Sequence, residues 1–379
     1  MFHRQMTTPR GSILLLGPLG TGKSTWIGSH VQAALTYDLL DTGLALRLAK
    51  TPSLLYQECA ALAKKDWVVI DEVQKVPALL DEVHRLIEKH ALRFVLSGSS
   101  ARKLKRSGVN LLAGRAETRL FFPLVAPEVE YALPVERIQF GMLPQVFTAE
   151  RPHRYLRSYC ETYLKEEIQN EALTRNIGGF ARFLEVAARQ CAQVTNTSNL
   201  ARDAEVARQT VQGYFEILVD TLVGFFLPAL SQRVRTKQVA HPKFYFFDAG
   251  VVRGLSGRLP YPPTPEEFGV LFETFIVNEL RAYLSLSELD YQPSFWRTHD
   301  GVEVDFVVET RRGWVTVEIK GSERWRPQDR KGSEAFAAEF RGTRAIGVYL
   351  GSKKLVDGKI TVYPYRDFLR ALWAGDLIA

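Results

Sequence analysis

Short apolar runs alternate with amphipathic stretches along the first third of the chain. Ser12 to Leu16, Trp67 to Asp71 and Arg93 to Ser97 have the length of buried strands, and each runs into glycine, acid or small polar residues. Helical patterns separate them, which predicts an α/β unit. From Phe121 to Ala172 the pattern is helical and broken at Pro134 and Pro144. Within it, Tyr155 to Ala172 reads as one long packing helix, with Leu156, Tyr159, Tyr163 and Ile168 near helical spacing. From Gly178 the order becomes helix (181–193), helix (199–206, with caps offered by Asn196 to Ser198), helix (207–222), then two strands. Those strands, Phe225 to Pro228 and Lys243 to Phe247, flank a basic loop carrying Arg233, Arg235 and Lys237.

Near the C-terminus the period changes to two. In Val315-Thr-Val-Glu318-Ile-Lys320 the residues Val315, Val317 and Ile319 share one strand face, and Thr316, Glu318 and Lys320 share the other. Glu303 and Asp305 likewise lie on one face of the preceding run. Arg311-Arg312-Gly313 reads as a turn between them, so a hairpin would bring Asp305 beside Glu318 and Lys320 on one polar surface.

Length and composition narrow the class. The 379 residues allow two or three domains, and 46% apolar residues suit a globular chain. No apolar run approaches the ~18 residues of a membrane span, and the N-terminus lacks an apolar signal core. The expectation is a cytoplasmic protein with no membrane partner. Cys59, Cys160 and Cys191 form no metal or redox spacing and read as buried small residues; the scattered histidines suggest no zinc site. A net charge of +7 permits a polyanionic partner without requiring one.

The chemistry begins at Gly17-Pro18-Leu19-Gly20-Thr21-Gly22-Lys23-Ser24, which follows the first strand and has the phosphate-loop spacing. Glycines let such a loop curl so that its N–H groups face phosphate oxygens. Lys23 would place a charge on the β and γ phosphates, Ser24 a hydroxyl on Mg²⁺, and the helix continuing through Thr25 its positive end. The strand Trp67 to Asp71 supplies the second half: Asp71 would hold Mg²⁺ through water, and Glu72 would orient and deprotonate the attacking water. ATP and Mg²⁺ are therefore the expected ligands. A small-molecule kinase is disfavoured, because Asp71-Glu72 supplies a water-activating acid.

GPLGTGKSTW, VVIDEVQKVPALLDEVHRLI, FVLSGSSARKL and LLAGRAETRLFFPL resemble a family of prokaryotic AAA+-type ATPases with a C-terminal domain long catalogued as of unknown function. FGMLPQVF, HPKFYFFDAGVVRGL and LFETFIVNEL extend the resemblance over almost the whole chain. Leu19 stands where many members have arginine, on a side chain that points away from the phosphates. The resemblance implies an AAA+ core (1–120) and a helical lid (121–175). It also implies a polar residue after the third strand that positions water, for which Ser97 and Ser99 are both candidates. Arg115 would reach a neighbouring subunit's γ-phosphate in a homo-oligomeric, hexameric ring; its alternative is a structural arginine capping a loop.

Residues 176–260 have the profile of a winged helix. In a DNA-binding version the third helix would enter the major groove, with Arg208, Gln209 and Gln212 facing bases or phosphates and Arg233, Arg235 and Lys237 touching the backbone. Residues 266–379 resemble the PD-(D/E)XK nuclease superfamily, with Glu-Val-Asp in place of Pro-Asp. Asp305 and Glu318 would bind a hard cation, Lys320 would steady the attacking water, and Glu273, or Glu279 as second choice, would add a carboxylate. Such a domain would cleave DNA or only grip it. The basic runs Glu323–Lys331 and Arg102–Arg106 would border the DNA path. The function expected is an Mg²⁺-dependent ATPase acting on DNA, with branched or junction DNA as the substrate class. The alternative is a slow nucleotide-controlled switch that gates a protein-interaction surface.

Overall fold

The computed structural model describes residues 2–102, 104, 112–164, 176–230 and 241–379. Its first sheet is formed by β1 (Ile13–Leu16), β2 (Ala33–Asp38), β3 (Trp67–Asp71), β4 (Arg93–Gly98) and β5 (Glu117–Leu120). All pairings are parallel, in the order β2-β3-β4-β1-β5. Helices covering both faces explain why the inner strands are apolar along their length rather than alternating. The order places β3, β4 and β1 side by side, so their carboxyl ends open onto one crevice, where ligands of open parallel sheets bind.

The segment expected to be a helical lid shares its apolar residues with the two cores that follow it. Among the described residues it holds a 3-10 turn, Ala126–Val129, and the short helices Val135–Ile138, Pro144–Thr148 and Pro152–Ser158, followed by a π-helical stretch, Tyr159–Leu164. Pro134, Pro144 and Pro152 stand at or just before the helix starts and keep each piece too short to bury a core of its own. Leu124 to Met142 instead joins the C-terminal core, and Leu143 to Cys160 joins the middle one. The long helix expected over 155–172 changes to π geometry at Tyr159, and its remainder, 165–172, lies outside the described residues.

The middle unit has the helices Ile177–Arg189, Thr197–Asp203, Arg208–Asp220 and Ala249–Leu255, which share one core. An antiparallel ribbon of β6 (Gly224–Leu227) and β7 (Lys243–Phe246) completes it. The first helix starts earlier than its apolar spacing predicts, because the Asn176 side chain caps it by accepting from Gly179 N at 2.8 Å. Asn196 caps the second, accepting from Ser198 N and Asn199 N at 3.1 Å.

The C-terminal unit is a six-stranded sheet of β8 (Pro293–Arg297), β9 (Glu303–Thr310), β10 (Gly313–Lys320), β11 (Arg344–Tyr349), β12 (Leu355–Asp357) and β13 (Ile360–Pro364). Strands β8, β9 and β10 form an antiparallel meander, and β10 pairs parallel with β11 across the helix Lys331–Glu339. Val315, Val317 and Ile319 join the core beneath the 22-residue helix Pro265–Leu286. Phe336 and Phe340 cover the opposite face against Trp296 and Trp314. The three cysteines are buried thiols. Among the described residues no helix is long and apolar enough to cross a membrane.

Candidate functional site

The loop after β1 is built by its glycines. Gly20 and Gly22 have φ of +79° and +95°, a region costly for any residue with a Cβ. At Gly17 a Cβ would stand 2.4 Å from Phe121 O, so its absence lets β1 and β5 run together into the loop. Lys23 is buried and donates to Gly17 O at 2.7 Å and Pro18 O at 3.1 Å, lying across the loop's own carbonyls. Thr21 Oγ1 donates to Pro18 O at 2.8 Å, and Ser24 and Thr25 are exposed where the helix begins.

The ends of β3 and β4 complete the crevice. Ser24 Oγ donates to Asp71 Oδ2 at 2.7 Å, and Ser97 Oγ donates to Asp71 Oδ1. Glu72 sits in the left-handed region at φ +58°, which turns its carboxylate away from the strand direction. Its Oε2 accepts from Ser99 Oγ at 3.1 Å and from Gln74 Nε2, and Gln74 Nε2 also lies 3.1 Å from Ser99 Oγ. The two serine candidates therefore have separate partners: Ser97 braces Asp71, and Ser99 braces Glu72. Hard hydroxyl and carboxylate oxygens from Ser24 and Asp71, next to a glycine-built loop, suit a magnesium nucleotide.

Sequence reasoning missed the groups that hold this loop from behind. Tyr159 OH donates to Leu19 O at 2.9 Å. Arg4 Nη1 donates to Thr21 O at 2.8 Å, and Arg4 is paired with Glu128 at 3.0 Å in a buried contact. Gln74 was missed too. Its only signal was proximity to Glu72, whereas Arg4 and Tyr159 act over long sequence separations and leave none. Arg115 lies beyond the amino end of β5, opposite the loop, and pairs with Glu88.

The C-terminal carboxylates assemble differently from the sequence reading. The hairpin does bring Asp305 beside Glu318 and Lys320: Asp305 Oδ2 accepts from Ile319 N at 2.8 Å, and Lys320 Nζ lies 2.6 Å from Glu318 Oε1 and 3.9 Å from Asp305 Oδ2. The group is not a solvated polar face, since Asp305 and Glu318 are 7% and 5% exposed. Burial, with Asp305 adding to it, pushes the Glu318 carboxyl well above the usual range.

Lys243 of β7, unforeseen as a site residue, enters this cluster. Its Nζ lies 2.9 Å from Glu273 Oε1, 2.5 Å from Glu303 Oε1 and 3.9 Å from Asp305 Oδ1. Burial alone would depress this ammonium; Glu273, Asp305 and Glu303 outweigh it and raise it. A lysine opening the otherwise apolar run Lys243-Phe-Tyr-Phe-Phe was the signal available in the sequence. Among the described residues no three His, Cys, Asp or Glu side chains are grouped to hold a metal. Of the expected set, Glu273 and Asp305 face the Lys243 ammonium and Glu318 pairs with Lys320 instead, so the residues as placed do not fit a metal ion.

Glu279 is excluded from that set. It is 2% exposed and accepts from Ala126 N at 2.9 Å and Trp373 Nε1 at 2.8 Å. Burial raises its carboxyl to about 8.

Of the nucleic-acid candidates, Arg208, Gln209 and Gln212 are exposed on the first turns of the helix Arg208–Asp220, with Arg208 Nε donating to Thr197 Oγ1 at 3.1 Å. Arg233, Arg235 and Lys237 lie outside the described residues. Arg102 does not border an open path: it is 6% exposed, and its Nη1 lies 3.7 Å from Asp220 Oδ2.

Comparison with known proteins divides the chain in three. Residues 9–130 match the family described as AAA domain, 133–260 the Domain of unknown function (DUF8612), and 268–368 the Domain of unknown function (DUF4143). Two relatives, Mb2031c of Mycobacterium bovis and Rv2008c of Mycobacterium tuberculosis, both described as uncharacterized, are 28% identical over 319 residues, 81% of this chain and 70% of theirs. Similar solved structures include the Aeropyrum pernix ORC1 protein in complex with DNA, at 12% identity, TM-score 0.30, and coverage of 65% of this chain and 86% of that one. The Bacillus subtilis DNA clamp loader delta protein matches at 11% identity and TM-score 0.21, over 71% and 95% of the two chains. Overlaps this loose carry no argument about fold or activity. The amino-terminal third is thus similar to AAA domains, and the rest of the chain to two domains of unknown function.

Proposed function

We propose that the chain hydrolyses ATP in its AAA domain and uses the cycle to act on DNA held by the two domains that follow. One observation carries the hydrolytic part. Phosphate loop, Asp71 and Glu72 meet at three adjacent strand ends, with each carboxylate fixed by its own serine. Glu72 is held by Ser99 and Gln74 at the crevice, where it would accept a proton from water. Lys23 would exchange its two neutral carbonyl acceptors for phosphate oxygens, a stronger charge-assisted pairing. Ser24 and Asp71 would hold Mg²⁺, which when bound neutralises phosphate charge. Ser97 keeps the Asp71 carboxylate in place for that role.

The DNA-directed part rests on the exposed Arg208, Gln209 and Gln212 and on the winged-helix order of the middle unit. We read the C-terminal domain, in which a long helix packs on an antiparallel meander carrying the acids, as PD-(D/E)XK-like, and with Lys243 among those acids as gripping rather than cutting. A homo-oligomeric ring, hexameric by analogy, would bring Arg115 to a neighbour's nucleotide in exchange for Glu88. Branched DNA is the substrate class we favour.

A slow nucleotide switch is the second reading. It is favoured by Tyr159 and Arg4, which tie the phosphate loop to segments packed into the other two cores. Steady-state ATP hydrolysis with no DNA, duplex or four-way junction separates the two. Junction-stimulated turnover supports the first reading; slow turnover indifferent to every DNA replaces it with the second.

A further inference from the structure

The C-terminal carboxylates already have a cation, and the chain supplies it. Lys243 belongs to β7 of the middle domain, not to the sheet that carries the acids. It is 3% exposed, and its ammonium contacts Glu273 on the helix Pro265–Leu286 and Glu303 on β9, and lies 3.9 Å from Asp305 on β9. Tyr245, two residues on and therefore on the same strand face, donates to Glu273 Oε1 at 2.6 Å. The Lys243 ammonium also faces the Phe295 ring, 5.4 Å from its centroid.

The charges do not balance. Four carboxylates, Glu273, Glu303, Asp305 and Glu318, meet three cations: Lys243, Lys320, and Arg297, which lies 3.1 Å from Glu303 Oε2. The deficit shows at one atom: Glu318 Oε2 is buried without a hydrogen-bond partner. Such an oxygen is costly in a low-dielectric site unless a cation or donor reaches it. Exchanging the singly charged ammonium for a doubly charged ion would make the group neutral. Oxygen-only donors in this number suit a hard divalent cation.

We propose that Lys243 is a tethered counter-cation that holds the carboxylate site of the C-terminal domain closed to divalent ions, and that the site accepts a hard divalent cation once this side chain is removed. The contact makes metal entry depend on the position of β7, so the middle domain controls the C-terminal one. The inference rests on the carboxylate reading of this site made above, and its test uses neither ATP nor DNA. A chain that hydrolysed no ATP and bound no DNA would leave the result unchanged.

The test is Mn²⁺ binding to the full chain, followed by electron paramagnetic resonance. Wild type is compared with Lys243→Met and with Lys243→Met combined with Asp305→Asn. The expected result is one additional Mn²⁺ in Lys243→Met, bound at least about tenfold tighter than any in wild type and lost in the double variant. Circular dichroism checks folding. Should Lys243→Met not fold, Lys243→Gln removes the charge, keeps all four carboxylates and retains a polar side chain able to donate to them, with the same result expected. An Asp305-dependent Mn²⁺ already present in wild type would overturn the proposal. So would a folded Lys243 variant that gains none.

Discussion

Tyr159 OH donates to the carbonyl of Leu19, 140 residues earlier, and so ties the phosphate loop to the segment that enters the middle core. The loop therefore cannot change shape without that segment feeling it. Tyr159→Phe keeps the ring packing and removes one neutral hydrogen bond, a loss of about 0.5–1.5 kcal/mol. ATP affinity should fall by roughly three- to tenfold, as measured by titration with a fluorescent analogue. Unchanged affinity would separate the loop from the middle domain.

Lys23 and Glu72 should fail in different ways. Lys23→Ala should abolish nucleotide binding, and retention of wild-type affinity would overturn the phosphate-loop reading. Gln74→Ala should leave affinity intact and lower turnover, because it frees Glu72 without touching the loop. A fall in affinity that matched the fall in turnover would show instead that Gln74 supports the loop itself.

Glu279 gives stability a pH dependence of definite sign. Burial raises its folded-state carboxyl to about 8, so between about pH 4.5 and 8 the folded state binds more protons than the unfolded one. Stability from this group is complete below that window and declines as pH rises through it. Glu279→Gln should flatten the decline in Tm between pH 5 and 8, although its amide nitrogen would face Ala126 N–H or Trp373 Nε1–H, both donors. Parallel Tm profiles for variant and wild type would rule Glu279 out as the source.

Lys243 should be expensive to remove for stability as well. Breaking a buried ion pair from one side costs about 3–5 kcal/mol, because the partner carboxylates are left uncompensated. Urea denaturation of Lys243→Met should show a midpoint far below that of Lys331→Met, whose side chain stands outside the cluster. Equal midpoints would mean the cluster adds nothing to stability.

If the middle domain holds DNA through phosphates, affinity should fall steeply with salt, and Arg208→Ala should reduce the log-log slope by about 1. A flat salt response would argue against a DNA partner.

The sequence revealed most where function depends on local spacing. Gly17 to Ser24 and Asp71-Glu72 could be placed because both sit at strand ends, and the parallel order brings those ends together. The hairpin of Asp305 and Glu318 was legible from a period of two and a Gly313 turn. What stayed hidden came from packing between distant segments. Pro134, Pro144 and Pro152 were visible, but not the division of their segment between two cores. Glu273 and Glu279 lie less than two helical turns apart on one helix, yet one meets Lys243 and the other Trp373, a choice made by which element covers each face. Lys243 was read as a strand residue because a buried lysine reveals its role only through the acids around it.

The most direct test of the central claim is phosphate release from ATP and Mg²⁺ by wild type and Glu72→Gln in parallel, with ATP binding measured on both. The account predicts measurable turnover in wild type, with comparable affinity and turnover reduced by about 10²-fold or more in Glu72→Gln. Equal turnover in the two proteins would contradict it, and no turnover in wild type under any condition would leave a binding domain rather than an ATPase.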